Sequence, residues 1–520
     1  PLVEGLLYTG TDDGLIHVSE DGGQNWRRSD SFRGVPDQSL VEDIIASFHD
    51  ANVAYAVFDN HKRGDYKPYV LKTSDRGQSW ELIVEGLPER GTAHTIIEDH
   101  VDSGLLFVGT EFGLYFSQDG GGNWHELKSL PTIAVRDLEI QRREGDLVVG
   151  TFGRGIYILD DYSPLRTPAS ELENAATLFV PRDAWLYNRD ARRGWGGKGD
   201  FGTGRYSADN PPYGAVFSYY LPEGLKTLKE QRREVEKERA KEGGDNPYPG
   251  WNQLRREDRE EEPSIILTIQ DTAGRVVRTI SGTAAKGFQQ VAWDMRYPAP
   301  DPVELEAGSS LAPWESPPQG PMVLPGEYSV TLSRRVDGRL EALGGPQSFE
   351  LKPMFTGGLV TDNRDELLEF QQQTAELHRA VMGADRAADE IENRIAHLLK
   401  AAGDTPSVGE DQAASLREMR TRMQDLRILL NGDRTITSRS EPAPMALMTR
   451  VGNIAGGSWN SQSGVTGNYR ASLDVAAQQF RPLLAELKSI AADLEAIEEQ
   501  LESEGAPWTP SRIPDWPGQQ

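Results

Sequence analysis

Carboxylate, arginine and aromatic side chains recur in the N-terminal third of the chain, next to short apolar segments that are typical of strands. These residue types can hold a sugar or a peptide, because they combine charged hydrogen-bonding groups with flat apolar faces. The candidate ligand-binding residues are Asp12, Asp13, Arg33, Arg90, His94, Glu111, Phe112, Arg136, Phe152 and Arg154. The same mixture would also suit an ordinary solvated rim, so the residue types leave both interpretations open.

Hydrolysis of a glycosidic bond would need two carboxyl groups flanking that bond, one of them in a setting that raises its pKa. The acids available near the turns are Asp12, Asp13, Glu111 and Asp160. Acids are abundant throughout the chain, and no spacing singles out two of them as a pair. The sequence therefore names no catalytic residue, and a glycoside hydrolase is the enzymatic alternative that it leaves open.

A repeated turn must position these residues. The pattern Ser/Thr-x-Asp-x-Gly-x-x-Trp occurs at Ser19, Asp21, Gly23 and Trp26, at Thr73, Asp75, Gly77 and Trp80, and at Ser117, Asp119, Gly121 and Trp124. A truncated fourth copy of the surrounding strands covers residues 147–159. Arg154 lies within this copy and is expected to pair with Asp160 or Asp161, which follow it. Units of roughly 40–55 residues with four strands each have the size of propeller blades.

Each position of this turn has a physical role. The glycines permit backbone angles that other residues avoid, and the aspartates can accept hydrogen bonds from the amides of the turn itself. The tryptophans offer large apolar faces that are expected to pack into the blade. Because successive strands of an antiparallel sheet alternate in direction, these turns share one face, and a ligand is expected on the opposite face. An insertion at residues 59–68 falls on that opposite face.

The turn is identified as the Asp box of BNR repeats, which occur in sialidases, in xyloglucanase-type glycosidases and in sortilin-type receptors. The chain most resembles bacterial sortilin-like, or BNR-repeat glycosyl hydrolase, propeller proteins, and would be their C-terminal portion. The resemblance implies that the Asp boxes are structural and lie away from the ligand. No metal or other cofactor is expected, with calcium as the alternative, and the protein is expected to be secreted, periplasmic or on the bacterial cell surface.

The composition narrows the choice of partners. The 520 residues carry a formal net charge of −26, so nucleic acid and anionic membranes are poor partners for this surface. Cysteine is absent, which excludes disulfides and thiolate metal sites. No apolar run reaches the roughly 18 residues of a membrane span. The first residues fall within a repeat, so missing N-terminal blades of the same protein are an expected partner.

Further regions follow the repeats. The expected boundaries are blades over residues 1–162, a linker over 163–175, a β-sandwich over 176–352, a helical bundle over 361–503 and a tail over 504–520. The sandwich prediction depends on six or more short strands, whose pattern resembles the immunoglobulin-like domain of flagellar hook-capping proteins. Residues 222–263 form a charged helical insertion, because Lys and Glu alternate there with few apolar anchors.

Apolar residues at helical spacing predict three long helices in the last region. The clearest series contains Leu473, Phe480, Leu487, Leu494 and Leu501, and such a seam buries against partner helices. Residues 407–410 are predicted to be a capping box for the second helix, and residues 431–468 a long loop. An antiparallel three-helix bundle accounts for the pattern. The alternative is an intermolecular bundle that makes the protein a homo-oligomer.

Three functions remain open at this point. The first is an exported propeller protein that binds a glycan or peptide ligand and performs no chemistry in this segment. The second is a sialidase-like or xyloglucanase-like glycoside hydrolase whose carboxylate pair lies partly in missing blades. The third is a structural component of a cell-surface assembly.

Overall fold

The computed structural model describes residues 2–188, 210–303, 317–354 and 363–514, together with residues 208, 305 and 516. Its N-terminal part consists of four antiparallel sheets. Sheet 1 contains β1 (Leu7–Gly10), β2 (Ile16–Ser19) and β3 (Arg27–Ser29), and sheet 2 contains β4 (Leu40–Ala46), β5 (Ala54–Asp59), β6 (Tyr69–Thr73) and β7 (Glu81–Leu82). Sheet 3 contains β8 (Ala93–Glu98), β9 (Leu106–Thr110), β10 (Gly113–Ser117) and β11 (His125–Glu126), and sheet 4 contains β12 (Val135–Gln141), β13 (Asp146–Thr151) and β14 (Ile156–Leu159).

The strands of each sheet are hydrogen-bonded in chain order. Sheets 2 and 3 have the four strands that the repeat predicts, whereas sheets 1 and 4 have three each in the described part of the chain. Neighbouring sheets share apolar cores, one between sheets 1 and 2, one between sheets 2 and 3, and one between sheets 3 and 4. Strand order and stacking are those of propeller blades, so the expected propeller-like arrangement is confirmed at this level.

The three repeated turns, which we call the aspartate turns, share one hydrogen-bond pattern. In each, the hydroxyl group of the first residue donates to the aspartate and accepts the backbone N–H of the glycine, at 2.7–2.9 Å. The glycines Gly23, Gly77 and Gly121 have φ values of +91°, +75° and +96°, which other residues rarely adopt. Hydrogen bonds from Asn25 and from the Ser19 hydroxyl group lower the pKa of Asp21 to about 2.

The tryptophans of the aspartate turns differ in burial. Trp124 is 3% exposed, and its indole N–H donates to the Ile83 carbonyl group at 2.8 Å. Trp80 packs edge-on against Phe32, with ring centroids 6.3 Å apart. Trp26 is 44% exposed, so the prediction that it packs into its blade is wrong. Trp80 and Trp124 are covered by residues that precede them in the chain, and sheet 1 has no sheet before it among the described residues.

The chain leaves sheet 4 through a clamp around Asp99, which directly follows β8. The buried Asp99 carboxylate accepts hydrogen bonds from Arg166 Nε and Nη2, at 2.7 and 3.0 Å, and from the Tyr162 hydroxyl group at 2.5 Å. Arg166 ends the short 3-10 helix Ser163–Arg166, and the Tyr162 ring packs edge-on against Phe107 with centroids 5.3 Å apart. One carboxylate therefore anchors the exit segment to the middle of the sheet stack.

The pairing expected at this exit, between Arg154 and Asp160 or Asp161, is wrong. Arg154 lies in the turn between β13 and β14, and the two aspartates follow the other end of β14. Asp161 instead accepts the Ser163 hydroxyl group at 2.6 Å. The exit is closed by Asp99, because that is where the outgoing chain meets sheet 3.

The middle region contains two sheets that share one core. After the short helix α1 (Ala169–Leu172), sheet 5 contains β15 (Thr177–Leu178), β17 (Ala215–Leu221) and β20 (Gly287–Trp293), and sheet 6 contains β16 (Ala184–Leu186), β18 (Ser264–Asp271), β19 (Val276–Gly282), β21 (Gly326–Val336) and β22 (Arg339–Pro353). The fully buried Trp293 packs against Tyr328 and Phe349. Pairing is antiparallel throughout these two sheets, apart from the parallel contact of β16 with the end of β22.

The charged insertion is built from two helices, α2 (Leu228–Lys241) and α3 (Trp251–Arg259). Neither helix contains a residue that is buried as a whole, although the Glu257 side chain is only 3% exposed. Arg232 holds them together, because its guanidinium donates to both oxygens of Glu257, at 2.8 and 2.9 Å, and to Glu236 at 2.8 Å. The Thr227 side chain caps α2.

The C-terminal region is helical. It contains α4 (Arg364–Asp404), α5 (Glu410–Asn431), α6 (Arg434–Thr437), α7 (Leu447–Ser458) and α8 (Gly467–Ser503), and residue 361, the expected start of this region, lies outside the described residues. One apolar core joins α4, α5, α7 and α8. No helix of the described chain is both long enough and apolar enough to cross a membrane.

Two local predictions in this region are wrong. The expected loop at residues 431–468 contains α7, whose Leu447, Val451 and Ile454 are buried against the other helices. The expected capping box is absent, because Gly409 is the N-cap of α5 and the Ser407 hydroxyl group donates to the Glu504 carbonyl group at 2.7 Å.

Gly86→Ala is expected to destabilise the protein more than Gly22→Ala. Both glycines have positive φ, +92° and +74°, so each alanine is strained by about 1 kcal/mol. A Cβ on Gly86 would also lie 2.4 Å from the Trp124 carbonyl oxygen, whereas a Cβ on Gly22 meets nothing within 4 Å. We expect a further loss of about 1–3 kcal/mol in the free energy of unfolding for Gly86→Ala. Denaturant unfolding measures both, and equal losses would contradict the packing described here.

Asp99→Asn is expected to lower the free energy of unfolding by about 3 kcal/mol at neutral pH, because Arg166 loses a buried partner. Burial opposes ionisation of Asp99, but hydrogen bonds from Arg166 and Tyr162 outweigh burial and lower its pKa. A carboxyl group with a lowered folded pKa adds stability above its unfolded pKa of about 4, and that stability is lost as the pH falls through the folded pKa.

The difference between wild type and Asp99→Asn should therefore be full at neutral pH and shrink in acid. Urea unfolding across this pH range checks the trend. Asp30→Asn serves as the control, because Asp30 forms an exposed pair with Arg28 and its loss should cost under about 1 kcal/mol. A difference for Asp99→Asn that stays constant down to acid pH would rule out the assigned role of its charge.

Candidate functional site

The first strands of sheets 2, 3 and 4, which we call the inner strands, each contain a bulge at the same position. The pairing register shifts between Val41 and Asp43 in β4, between Ala93 and Thr95 in β8, and between Val135 and Asp137 in β12. The residues skipped by the register are Glu42, His94 and Arg136. A β-bulge re-aims a side chain and is common beside functional sites. Three neighbouring strands thus carry an acid, an imidazole and a guanidinium at one level.

These bulges lie at one end of the sheets, which we call the rim. The rim consists of the β1–β2, β5–β6, β9–β10 and β13–β14 turns together with the starts of β4, β8 and β12. The aspartate turns lie at the opposite end, because they follow β2, β6 and β10. All of the predicted ligand-binding residues belong to the rim or to the segments that lead into it.

A hydrogen-bonded network joins three rim residues from two sheets. Arg136 Nη1 lies 3.1 Å from His94 Nδ1, and His94 Nε2 lies 2.9 Å from Glu111 Oε2. An arginine can only donate, so Nδ1 accepts and the proton of the imidazole is on Nε2, which donates to Glu111. Arg136 Nη2 also donates to Glu111 Oε2 at 3.1 Å. The network fixes the tautomer of His94, which is 3% exposed, and holds Glu111 and Arg136 in place.

Aromatic rings lie beside this network. The Arg136 guanidinium carbon is 5.6 Å from the centre of the Phe152 ring, and the Arg90 guanidinium carbon is 5.4 Å from the centre of the Tyr66 ring. Both distances are within the range of cation–π attraction. The three rings Tyr66, Phe112 and Phe152 come from the equivalent turns of sheets 2, 3 and 4, and all of them are exposed. Each of these turns therefore presents one ring to solvent.

Backbone contacts connect the two arginine–aromatic pairs. The Gly91 N–H donates to the Tyr66 carbonyl group at 2.8 Å, which places Arg90 beside the insertion. A Cβ on Gly91 would lie 3.3 Å from the Phe112 ring, so that ring rests on the backbone next to Arg90. Phe112 follows Glu111 directly, and the rim of sheets 2 to 4 is therefore continuous from Tyr66 to Phe152.

The structure brings together some of the predicted ligand-binding residues and not others. His94, Glu111, Arg136 and Phe152 form one group, and Arg90 and Phe112 adjoin it. The remaining four are exposed, and in the described chain no hydrogen bond, ion pair or ring contact joins them to this group: Asp12, Asp13, Arg33 and Arg154. Asp13 accepts the Thr11 hydroxyl group at 2.5 Å.

Sequence reasoning missed Glu42, Asp43 and Tyr66 as rim residues. Tyr66 lies in the insertion that the repeat alignment does reveal, so the insertion itself was the available signal. Asp43 Oδ2 accepts the Thr95 hydroxyl group and the Ile96 N–H, both at 3.0 Å, and so ties β4 to β8 of the next sheet. Burial raises the pKa of Asp43, and the charge of Asp137 adds to this effect.

The acids considered for hydrolysis are not arranged as a pair in the described chain. Glu111 is engaged by His94 and Arg136 at the rim. Asp160 lies near the opposite end of the sheets, where burial and the nearby Asp146 raise its pKa. The described residues also contain no group of three or more histidine or acidic side chains that could hold a metal ion.

A cavity is present elsewhere, between sheet 6 and the start of α4. Its lining is mostly apolar and includes Met322, Val323, Leu367 and Gln371. None of the predicted ligand-binding residues lines this cavity. The predicted ligand-binding residues therefore lie at the rim, and this cavity is separate from them.

Comparisons with known proteins give partial structural likenesses. No protein-family model matches the chain, and neither does a curated protein sequence. A structure described as YCF48 bound to D1 peptide is 19% identical over 30% of this chain and 48% of that chain, with a TM-score of 0.25. A GH74 xyloglucanase from Xanthomonas campestris is 14% identical over 31% and 28%, with a TM-score of 0.25.

A GH74 enzyme from Niastella koreensis is 13% identical over 42% of this chain and 26% of that chain, with a TM-score of 0.23. The chain spans about half of the first of these solved chains and less of the other two. The propeller-like arrangement is therefore argued from the order and stacking of the sheets themselves.

His94 is expected to carry its proton on Nε2 and none on Nδ1, because Arg136 donates to Nδ1. Long-range nitrogen–proton NMR of histidine-labelled protein distinguishes the two nitrogens. Arg136→Gln should change the His94 signals, while those of the exposed His125 stay unchanged and serve as the control. A proton on Nδ1 of wild-type His94 would contradict the network.

Proposed function

We propose that the rim of sheets 2 to 4 binds a glycan or peptide ligand, and that this part of the protein recognises the ligand without transforming it. The observation that carries the proposal is the network of His94, Glu111 and Arg136. Its polar groups are positioned before any ligand arrives, so little side-chain freedom remains to be lost on binding.

Exposed rings support the same proposal. Phe112 is 50% exposed and lies on the Gly91 backbone, and Phe152 is 72% exposed and lies beside Arg136. Large apolar side chains that stay exposed next to fixed charged groups are typical of binding surfaces. The acids named from the sequence form no catalytic pair in the described residues, which favours recognition over hydrolysis.

The finer assignments belong to the same proposal. The aspartate turns are proposed to be Asp boxes of BNR repeats, and their role is to staple the sheets. The two sheets of the middle region are proposed to be an immunoglobulin-like sandwich that serves as a spacer or docking unit, and the helical region to be a bundle. We propose that the protein acts outside the cytoplasm of a bacterium, where glycans and exported peptides are available.

A glycoside hydrolase is the second candidate, and Asp43 is the observation that favours it. Its partly buried carboxyl group has a raised pKa near the rim, which is the setting that a general acid needs. However, Asp43 Oδ2 is occupied by Thr95 and Ile96, and this bonding accounts for Asp43 as a link between sheets. Turnover of any polysaccharide would therefore be needed to prefer this candidate.

Arg136→Ala is expected to weaken ligand binding by about tenfold or more, because it removes the guanidinium that fixes both His94 and Glu111. Glycan arrays and peptide libraries identify a ligand, and titration of wild type and variant with that ligand measures the loss. Hydrolysis of the same glycans is assayed in parallel.

Arg143→Ala is the matched control. Arg143 is an exposed arginine that pairs with Glu144 in the β12–β13 turn, at the opposite end of the strand that carries Arg136. The control should bind as wild type does. Equal binding by Arg136→Ala and wild type would place the ligand elsewhere, and polysaccharide turnover would overturn the recognition-only proposal.

A further inference from the structure

Most of the carboxylates considered at the rim accept hydrogen bonds from the protein itself, whereas several cations of the rim have no carboxylate partner. In the rim of sheets 2 to 4, Asp59 is bonded by His61, Asp65 accepts the Tyr69 hydroxyl group at 2.6 Å, and Glu111 is shared by His94 and Arg136. Two further acids, Glu42 and Glu89, have no partner among the described residues. The rim thus offers few free carboxylates.

Arg136 shares Glu111 with His94, but several other cations of the same rim lack a carboxylate partner. No ion pair in the described chain involves the following four side chains: Lys62, Arg63, Arg90 and Arg154. Arg63 donates to uncharged oxygens only, the Asp37 carbonyl group at 2.9 Å and the Gln38 side chain at 2.6 Å. Arg90 is held by the Tyr66 ring. This is unexpected in a chain with 81 acidic and 55 basic residues, where acids are available to pair with almost any arginine.

Cations left unpaired on an acidic protein form a local site for anions. The surrounding negative charge repels anions from the rest of the surface, so binding is confined to this rim. Guanidinium groups recognise carboxylates well, because two parallel N–H donors match the two oxygens. Arg90 is held by the Tyr66 ring and Arg136 by the Phe152 ring, so both guanidinium groups are positioned before a ligand binds.

The rings restrict the ligand further. Phe112 and Phe152 carry no hydrogen-bonding group, and their exposed faces gain from contact with apolar groups. A neutral sugar chain has no carboxylate that could pair with the free cations of this rim. In an extended peptide every second side chain points to the same side, so residues i, i+2 and i+4 can bring acidic and apolar groups to the rim along one line.

We infer that the ligand of this rim is an extended peptide segment whose rim-facing side chains, at every second position, alternate between acidic and apolar. The inference rests on the proposed binding function and names the chemistry of its ligand. The carboxylates bind Arg90 and the N–H donors of Arg136 that His94 and Glu111 leave free, and the apolar side chains cover Phe112 and Phe152.

Short synthetic peptide pools test this inference on the whole chain. One pool alternates Asp or Glu with Leu, Ile or Phe at every second position, with Ser between them. A second pool replaces every acid with Asn or Gln, and a third keeps the acids and replaces the apolar residues with Ser. Oligogalacturonate represents acidic glycans, and xylogluco-oligosaccharides represent neutral glycans. We expect the first pool to bind at least about tenfold more tightly than the second and the third.

Variants locate the binding. Arg90→Ala and Phe152→Ala should each weaken binding of the first pool by about fivefold or more, and Arg143→Ala should leave it unchanged. Phe152 is largely exposed, so its loss tests the surface without disturbing a core. Added salt should weaken binding of the first pool and leave any binding of the second pool nearly constant.

The other outcomes separate this inference from the proposed function. If a glycan binds with dependence on Arg136 and no peptide pool does, the rim is a binding site and the peptide inference is overturned. If the second pool binds as tightly as the first, the acidic part of the inference is overturned. If none of the probes binds, both the inference and the proposed function fail.

Discussion

Each sheet of the N-terminal part has two apolar faces, and the structure depends on covering them with neighbouring sheets. Strands β5, β8 and β9 are buried along their whole length because sheets 2 and 3 have neighbours on both sides. Sheets 1 and 4 have one described neighbour each, and apolar residues there stay exposed. Leu7 and Ile156 are exposed, for example, whereas Leu106 and Leu114 at the equivalent repeat positions are fully buried.

This face-to-face packing fixes the positions of β4, β8 and β12 relative to one another. Because β4, β8 and β12 carry their bulges at the same level, side chains of neighbouring sheets come within hydrogen-bonding distance. Asp43 of sheet 2 reaches Thr95 of sheet 3, and Arg136 of sheet 4 reaches His94 of sheet 3. The bonds across sheets are thus consequences of the stacking, and they add specificity to an arrangement that apolar burial already favours.

The two ends of the sheets differ in which charged groups are left without a partner of opposite charge. At one end, carboxylates are occupied by local donors, as in the aspartate turns, or by the outgoing chain, as at Asp99. At the rim, Arg63 donates to neutral acceptors and Arg90 lies over the Tyr66 ring, both without a carboxylate partner, whereas Arg136 shares Glu111 with His94. A carboxylate that is fully hydrogen-bonded inside the protein contributes to stability, whereas a guanidinium without an acid keeps donors for a ligand. The hydrogen-bonded carboxylates therefore contribute to stability, and the guanidinium groups without an acid are available for recognition.

The sequence by itself determined the features whose physics is local. The aspartate turns could be predicted because a hydroxyl, a carboxylate and a glycine at fixed spacing satisfy one another within a few residues, and α4, α5 and α8 because helical periodicity is visible in any short window. Helix α7 was missed because Gly452, Gly456 and Gly457 mask its apolar spacing, and the exposure of Trp26 depends on which sheet lies beside it. Only the tertiary structure decided that Arg136 meets His94 and Glu111, which lie 42 and 25 residues away in the chain. Such a meeting requires the bulges, the strand register and the stacking of sheets 3 and 4 together, and none of these is a property of a single segment.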